Sequence, residues 1–280
     1  MCRYLANAGD SVVGIVNSHK MEFERIDVFA QDLTQLVDAD ELVSKFSPDV
    51  IVHAAGLTSV DACENDEHTA FRIHADVTQQ LARACAARNV KFIFISTDHL
   101  WDGTKPFVSE TTPPHPINAY ARSKLEGERR ALDAAPTALV VRTNFFGNAL
   151  PWRKSLSDWM VEGLCSGRGI DAFVDSFFSP IHLNHLVPMI VEIAEHEGSG
   201  VYHVAASERI SKYEFALGLC RKLALPNGLV RPAEIENAGL QAPRPHDMSL
   251  CTKKAAEFLT RPMPTVTDGI DILNLTPQDN

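Results

Sequence analysis

The stretch KFIFISTD, residues 91–98, joins an unbroken apolar run to three polar residues and indicates the fold most directly. Apolar runs without alternation of polar residues are typical of strands that are buried on both faces of a sheet. Similar runs stand at 11–16 (SVVGIV), 49–53 (DVIVH) and 138–142 (ALVVR). Because helical patterns separate these runs, the sequence predicts βαβ units and a Rossmann-like, doubly wound parallel sheet of the α/β class.

The helical segments expected between these strands cover 38–46, 64–89 and 120–135. After about residue 148 the alternation of strand and helix becomes irregular. The elements expected there are helices at 156–165, 183–195 and 211–223 and a short strand at 200–205. This second half predicts a smaller α/β domain.

Composition and charge exclude several classes of protein. The chain has 280 residues, 45% apolar and 22% charged, which is an ordinary balance for a globular protein. No run approaches the ~20 apolar residues that a membrane helix needs, and a formal net charge of −10 disfavours a nucleic-acid-binding surface. The N-terminal residues show no signal-peptide pattern and the six cysteines form no paired framework, so we expect reduced thiols and a cytoplasmic location.

Tyr120 and Lys124 are four residues apart in NAYARSKLEGE (118–128), a spacing that puts both on one face of a helix. A tyrosine hydroxyl has a pKa of about 10, too high for proton transfer near neutral pH. A lysine ammonium close by favours the phenolate and so lowers that pKa. The pair therefore fits a proton donor with its electrostatic partner, although an ordinary surface helix gives the same spacing.

Small or polar residues follow two of the predicted strands. Ser96, Thr97 and Asp98 come after KFIFI, and the segment HAAG at 53–56 ends the strand DVIVH. Ligands of open parallel sheets bind at the carboxyl ends of strands. A hydroxyl there can hydrogen-bond a carbonyl oxygen, and small residues let a ligand approach the backbone. The alternative explanations are a plain turn for the first segment and close helix–sheet packing for the second.

Together these three elements resemble an extended short-chain dehydrogenase/reductase, and within that superfamily the dTDP-4-dehydrorhamnose reductase group. The resemblance covers nearly the whole chain, and its most specific part is STDxxxDG followed by YxxxK. The matching stretches are VIVHAAGLTSVDACE (50–64), FISTDHLWDGTKPF (94–107), PINAYARSKLEGE (116–128), VVRTNFFG (140–147), FFSPIHLNHL (177–186), GVYHVAASERISKYEFA (200–216) and RPHDMSLCTKKA (244–255).

The resemblance implies a division of the chain by ligand. An NAD(P)-binding domain would cover 1–148 plus about 179–205, a substrate-binding domain would cover about 149–178 and 206–275, and 276–280 would be a flexible tail. The implied activity is the transfer of a hydride from a nicotinamide cofactor to a keto group on a nucleotide-linked sugar.

The resemblance also assigns catalytic roles to three residues. Tyr120 would protonate the developing alkoxide. Lys124 would bind the nicotinamide ribose and lower the pKa of the tyrosine. Thr97 would hydrogen-bond the reacting oxygen.

Binding roles are implied for a wider set. The cofactor-binding residues would be Asn17, Ser18, His19, Asp32, Leu33, Ala54, Ala55, Gly56, Tyr120 and Lys124. The substrate-binding residues would be Thr97, Asp98, Trp152 and Arg244, of which Trp152 is explained equally well as a core aromatic. No metal site is expected. The run at 11–16 would be the second strand of the family's sheet, and it is followed by NSHK (17–20). This segment has no acidic residue and one lysine. That favours NADP(H) over NAD(H), and a polar turn is the alternative explanation.

The sequence departs from the family pattern in two places. His74 in AFRIHAD stands where the family usually has an asparagine that supports the active-site backbone. The first strand and the GxxGxxG loop, which would bind pyrophosphate at a helix N-terminus, are missing before SVVGIV. The sheet should then carry unpaired backbone groups between the strands at 11–16 and 49–53. We expect the chain as given to bind a dinucleotide weakly and to fold poorly, and a start codon assigned roughly twenty residues too late would explain the gap.

Three functions remain open at this point. The leading prediction is NADPH-dependent reduction of a nucleotide-linked keto sugar. The alternatives are a non-catalytic NADP-binding regulatory subunit, like the one that modulates methionine adenosyltransferase, and a nucleotide-sugar epimerase. A dehydratase is disfavoured because Thr97 is followed by Asp98 and His99 rather than by two acids. No nucleic-acid or membrane partner is expected. The sequence decides neither the sugar nor the homodimer that such a family would allow.

Overall fold

The computed structural model describes residues 1–17, 22–36, 38–148 and 154–274. The helices are α1 (Cys2–Ala8), α2 (Ala39–Phe46), α3 (Val60–Asn65), α4 (Glu67–Phe71), α5 (Val77–Ala87), α6 (Ala119–Ala134), α7 (Leu156–Cys165), α8 (Leu183–Glu195), α9 (Lys212–Lys222), α10 (Lys253–Phe258) and α11 (Val266–Asp271). The strands are β1 (Val12–Val16), β2 (Ile26–Ala30), β3 (Val50–His53), β4 (Lys91–Ile95), β5 (Leu139–Arg142), β6 (Phe145–Phe146), β7 (Ile170–Phe173), β8 (Phe177–Phe178), β9 (Ile181–His182), β10 (Gly200–His203), β11 (Ile210–Ser211) and β12 (Val230–Ala233).

Parallel strands alternate with helices through the first half of the chain. β3 pairs with β4 in parallel, from Val50 opposite Lys91 to His53 opposite Phe94. These two strands belong to a four-stranded sheet in the order β10-β5-β4-β3, and β1 pairs with β2 in parallel in a sheet of their own. The α/β class and the parallel, Rossmann-like arrangement that the sequence predicts are confirmed.

β1 and β3 each have an open edge in the described part of the chain. There β1 pairs with β2 alone and β3 pairs with β4 alone, so each is the end of its sheet. Val13 and Val50 on these strands are 36% and 45% exposed, although their apolar runs are typical of buried strands. These are the two edges that the expected first strand would pair. The described sheets therefore have a gap where the sequence predicts one.

Most of the predicted elements have observed counterparts with nearly the same bounds. The strands expected at 11–16, 49–53, 91–96 and 138–142 are β1, β3, β4 and β5. The later helices α7, α8 and α9 also match the predicted ranges to within one residue at each end. β2 is not predicted from the sequence, because its short IDVFA run follows residues with no clear pattern.

The single helix expected over 64–89 is wrong. α3 begins earlier, where the side chain of Ser59 accepts a hydrogen bond from Ala62 N at 3.2 Å. α4 begins anew at Asp66, whose carboxylate accepts from Thr69 N at 2.9 Å. A π-helical turn over Arg72–Asp76 then separates α4 from α5. Side-chain caps interrupt the helix because they satisfy backbone donors that a continuous helix would bond internally.

The chain divides into two compact units. Unit 1 comprises Met1–Ser96, Ala119–Val140 and Ile190–Gly200, and unit 2 comprises Thr97–Asn118, Val141–Met189 and the chain from Val201 on. These units reflect packing, whereas the predicted domains are defined by ligands. The predicted division by ligand stays a prediction.

Unit 1 has its core around β4 and the helices that pack on it. Phe92 and Phe94 of β4 are almost fully buried, and α5 and α6 pack against each other. The alanine-rich face of α5 allows this close packing, since Ala82 and Ala84 are buried. The core therefore fixes α6 relative to the end of β4.

Unit 2 has a core centred on α9. The rings of Phe146 and Phe178 lie edge-on to Phe215, with ring centroids 5.0 and 5.7 Å apart. α9 begins at a capping box, in which Ser211 and Glu214 exchange side-chain to backbone hydrogen bonds. Across the described residues of both units, no helix has the length and apolarity needed to cross a bilayer.

Candidate active site

The N-terminus of α6 is fixed by a carboxylate from α3. Ala119 N donates to Glu64 Oε2 at 2.8 Å. A carboxylate at this end of a helix satisfies a free backbone N–H and complements the helix dipole. The first turn of α6, which carries Tyr120 and leads into the turn that carries Lys124, is thereby held in place.

Lys124 is a buried cation at the carboxyl end of β4. The residue is 6% exposed, and its ammonium donates to Ile95 O at 2.6 Å and lies 4.3 Å from the centroid of the Phe94 ring. Burial lowers the pKa of Lys124 to about 8, while the negative charge of Glu128 and the thiol of Cys63 oppose that shift. An ammonium has three N–H donors, so the carbonyl of Ile95 uses only one of them.

Glu128 ties the same helix to the end of β4. It lies one turn beyond Lys124, is 3% exposed, and accepts a hydrogen bond from the hydroxyl of Ser96. Its charge also raises the pKa of Lys124. Glu128 is not among the site residues predicted from the sequence, although its spacing of four residues from Lys124 is a signal for it.

Tyr120 is half-buried against a small apolar cluster. Cys63, Ala70 and Ala119 form this cluster, and Leu57 packs on it beside the tyrosine. The Tyr120 ring also meets the imidazole of His74 edge-on, with centroids 5.8 Å apart. These contacts fix the ring from the helix side.

Ser123 links His74 to the backbone of Tyr120. His74 Nδ1 lies 2.8 Å from Ser123 Oγ, and Ser123 Oγ donates to Tyr120 O at 2.9 Å. His74 is 1% exposed, and burial lowers its pKa to about 2, with the positive charge of Lys124 acting in the same direction. The ring is therefore neutral at any pH at which the protein would act.

The π-helical turn presents His74 to α6. His53 Nε2 hydrogen-bonds Ile73 O at 3.3 Å, and Thr78 Oγ1 donates to His74 O at 2.6 Å. A Cβ at Gly127 would lie only 2.1 Å from His74 O, so α6 approaches this turn at a glycine. Single π-helical turns inside helices are frequent at functional sites. The sequence reading missed this turn, because no residue pattern predicts it.

The small residues after β3 lie beside His74. Ala54 is exposed, while Ala55 and Gly56 are half-buried. A Cβ at Gly56 would lie 2.7 Å from His74 Nε2. Glycine at position 56 therefore leaves room for the imidazole at this strand end, which agrees with the alternative explanation of close helix–sheet packing.

The predicted adenine segment is a 3-10 turn over Leu33–Gln35. Asp32 Oδ1 accepts from Thr34 N and Thr34 Oγ1 at 2.9 and 2.7 Å, so this carboxylate caps the turn. Arg72, at the start of the π-helical turn, donates to Thr34 O and to Leu36 O at 3.0 and 2.8 Å. These contacts join the predicted adenine segment to the turn that carries His74.

The other predicted cofactor and sugar contacts are described only in part. Asn17 is exposed just after β1. Ser18, His19 and Trp152 lie outside the described residues. In unit 2, Arg244 Nη1 donates to Ala242 O at 2.7 Å.

Thr97 and Asp98 form a buried pair in unit 2. Asp98 is 2% exposed and accepts from Asn144 Nδ2 at 2.7 Å and from Thr97 Oγ1 at 3.3 Å. Burial raises the pKa of Asp98 to about 7, and the hydrogen bond from Asn144 opposes that shift. The Thr97 hydroxyl also accepts from His99 N at 3.3 Å. Asn144 was not selected from the sequence, which has no pattern linking it to Asp98.

Comparison with known proteins identifies a family. A family model described as the RmlD substrate binding domain matches residues 6–273. The probable low-salt glycan biosynthesis reductase Agl14 of Haloferax volcanii is 28% identical over 284 residues, which are 99% of this chain and 93% of that protein. The methionine adenosyltransferase 2 subunit beta of Danio rerio is 30% identical over 227 residues, 77% of this chain and 69% of that protein.

Solved structures show the same fold. A hypothetical dTDP-4-dehydrorhamnose reductase from Sulfolobus tokodaii has a TM-score of 0.85 and 33% identity, covering 96% of this chain and 93% of that one. The dTDP-4-dehydrorhamnose reductase of Bacillus anthracis in complex with NADP has a TM-score of 0.81 and 24% identity, covering 93% of this chain and 97% of that one.

Proposed function

The chain belongs to the RmlD substrate-binding domain family, and from that membership we propose that it reduces a keto group on a nucleotide-linked sugar with NADPH. The observation that carries this proposal is the buried ammonium of Lys124, one helical turn from Tyr120 and bonded to the last residue of β4. A buried cation costs several kcal/mol of desolvation. Retaining one beside a tyrosine is physically reasonable where it serves proton transfer.

The residues of unit 1 fit the nicotinamide half of such a cofactor. Ala54, Ala55 and Gly56 place no large side chain at the end of β3, and Ala54 is exposed there. Lys124 has N–H donors beyond the one that bonds Ile95 O. When bound, NADPH would supply the hydride. Asn17, Ser18, His19, Asp32 and Leu33 are proposed to contact its adenosine half.

The protein's own part in the reaction is to hold and move a proton. Tyr120 would donate its hydroxyl proton to the oxygen of the reduced carbonyl, because the positive charge of Lys124 stabilises the phenolate that remains. Thr97 would hydrogen-bond the same oxygen, and Asp98, Arg244 and Trp152 are proposed to contact the sugar nucleotide.

The choice of NADP(H) has two supports. β1 corresponds to the second strand of the family's sheet. The NSHK segment that follows it has no acidic residue of the kind that binds the ribose hydroxyls in NAD enzymes. The Bacillus anthracis structure holds NADP in the same fold. A cytoplasmic location is part of the proposal, and the six unpaired cysteines are consistent with it.

The test is NADPH oxidation, followed by absorbance, with dTDP-4-dehydrorhamnose as substrate and the full chain as enzyme. We expect turnover that falls by at least about 100-fold in Tyr120→Phe, the usual contribution of a general acid. NADPH binding should change little in that variant, because the phenyl ring keeps the packing. Equal turnover in both proteins would contradict the role of Tyr120, and no turnover with cofactor bound would contradict the reductase.

The similarity to methionine adenosyltransferase 2 subunit beta favours a second candidate, an NADP-binding regulatory subunit. That function uses the same dinucleotide site without sugar reduction. Cofactor binding by the full chain, no turnover of any dTDP-keto sugar, and a change in the activity of an added methionine adenosyltransferase would support it.

A further inference from the structure

The two nitrogens of the His74 ring have different partners. Nδ1 is 2.8 Å from Ser123 Oγ, whose hydrogen is donated to Tyr120 O at 2.9 Å. A serine hydroxyl has one hydrogen to donate, so its oxygen accepts from His74 and Nδ1 carries the ring hydrogen. Because the ring is neutral, Nε2 is left with a lone pair and no hydrogen.

Nε2 lies next to Gly56, at the carboxyl end of β3. A methyl group at position 56 would lie 2.7 Å from Nε2 and 3.0 Å from Cδ2. Within the described part of the chain, Ser123 is the hydrogen-bond partner of the ring and Nε2 has none. A histidine nitrogen with a lone pair accepts a hydrogen bond from a hydroxyl or an N–H. A donor on a molecule bound at the end of β3 would fit this acceptor.

The direction of this acceptor is fixed by three contacts on the π-helical turn. His53 and Thr78 bind the carbonyls of Ile73 and His74, and Gly127 lets the backbone of α6 lie against His74 O. Ser123 and Gly127 are four residues apart on α6, so one face of that helix contacts both the ring and the carbonyl of His74. The imidazole therefore cannot turn away from Gly56 without breaking the packing of α6.

We propose that His74 Nε2 accepts a hydrogen bond from a hydroxyl or amide N–H on the nicotinamide nucleoside half of a dinucleotide bound against Gly56, while His74 Nδ1 positions Tyr120 through Ser123. This inference rests on the proposed function for the identity of the ligand. His74 is in this view both a cofactor-binding residue and a positioning residue for Tyr120.

The tautomer is tested without ligand, activity or mutation. Nitrogen-15 NMR of the full chain, labelled at histidine, distinguishes an N–H nitrogen from one with a lone pair. We expect His74 to show hydrogen on Nδ1 and a lone pair on Nε2, unchanged between pH 5 and 8. Saturating NADP⁺ should shift the Nε2 resonance as it accepts a hydrogen bond. Hydrogen on Nε2 instead would overturn the inference.

Two variants separate the functions of the two nitrogens. The amide of asparagine reaches the position of Nδ1, and the longer glutamine reaches the position of Nε2. His74→Asn should keep the contact with Ser123 and weaken NADP⁺ binding about 5- to 30-fold, as expected for one lost hydrogen bond. His74→Gln should bind NADP⁺ within about threefold of the wild type, but should shift the pH profile of sugar reduction because Tyr120 loses its support.

Equal NADP⁺ affinity in His74→Asn and the wild type would overturn the ligand contact. Affinity lost equally in both variants would indicate a merely structural role and would overturn it as well. The outcomes also separate this inference from the proposed function. A protein that binds NADP⁺ through Nε2 but reduces no sugar contradicts the proposed function alone. A wild type that shows no binding even at the high NADP⁺ concentrations that a chain without the GxxGxxG loop requires contradicts both.

Discussion

At the scale of single residues, Tyr120 and Lys124 lie on one face of α6, and Glu128 and Ser123 join that helix to Ser96 and His74. Tyr120 and Lys124 share α6 because the i, i+4 spacing puts them there whatever the tertiary structure. The roles of Glu128 and Ser123 on the same helix depend on their contacts with Ser96 and His74. Those partners are distant in sequence, so local patterns cannot find them.

Asp98 supports a prediction about stability and pH. Its pKa is raised from 3.8 to about 7 by burial, so between these values the unfolded chain loses the proton first. Folding then becomes less favourable as pH rises, by up to about 4 kcal/mol above pH 7. Asp98→Asn does not titrate at this position. The free energy of unfolding of the variant minus that of the wild type should therefore be larger at pH 8 than at pH 5. Urea unfolding at both values measures this, and an equal difference at both would contradict it.

At the scale of elements, the sequence predicts the strands well and the helix before β4 poorly. Apolar runs such as KFIFI are recognisable because two buried faces leave no place for polar residues. The breaks at Asp66 and at the π-helical turn depend on one cap and on the approach of α6 at Gly127. A helical periodicity continues across both, so the pattern alone indicates one long helix.

Gly127 tests the packing of α6 on the π-helical turn. Alanine in a helix interior is favoured over glycine by about 1 kcal/mol, but a Cβ here would lie 2.1 Å from His74 O. Overpacking of this kind costs about 1–3 kcal/mol, so Gly127→Ala should lower the free energy of unfolding. Gly228→Ala is the matched control, because a Cβ there meets nothing within 4 Å. A stabilised Gly127→Ala variant would show that α6 does not press on the turn.

At the scale of the whole molecule, the sequence predicts an interrupted sheet, and the described strands show that interruption. β1 and β3 end their sheets on edges that no described strand covers. Sequence patterns reveal such a gap because each strand is a contiguous apolar run, so a missing run is noticed when the runs are compared in order with those of the family. They do not give the two compact units, because those depend on contacts between segments far apart in the chain.

Buried histidines predict how the whole molecule responds to acid. Burial lowers the pKa of His53, His74 and His203 from 6.5 to about 4, 2 and 3. Below pH 6.5 these histidines bind protons in the unfolded chain but not in the folded protein. The free energy of unfolding therefore decreases as the pH is lowered. Between pH 6.5 and 5, each of the three histidines lowers the free energy of unfolding by up to about 2 kcal/mol. Asp98 raises it by a similar amount over the same range, so the three histidines together outweigh it. The urea midpoint should therefore drop on going from pH 6.5 to 5, and an unchanged or higher midpoint would contradict this.

Transfer of the hydride itself tests the central claim most directly. NADPH with both hydrogens at C4 of the nicotinamide ring replaced by deuterium would be incubated with the full chain and dTDP-4-dehydrorhamnose, and the mass of the sugar nucleotide measured by mass spectrometry. The account predicts a reduced product that has gained one deuterium, with much less in the presence of Tyr120→Phe. A sugar nucleotide that stays unreduced while the cofactor is bound would contradict the reductase.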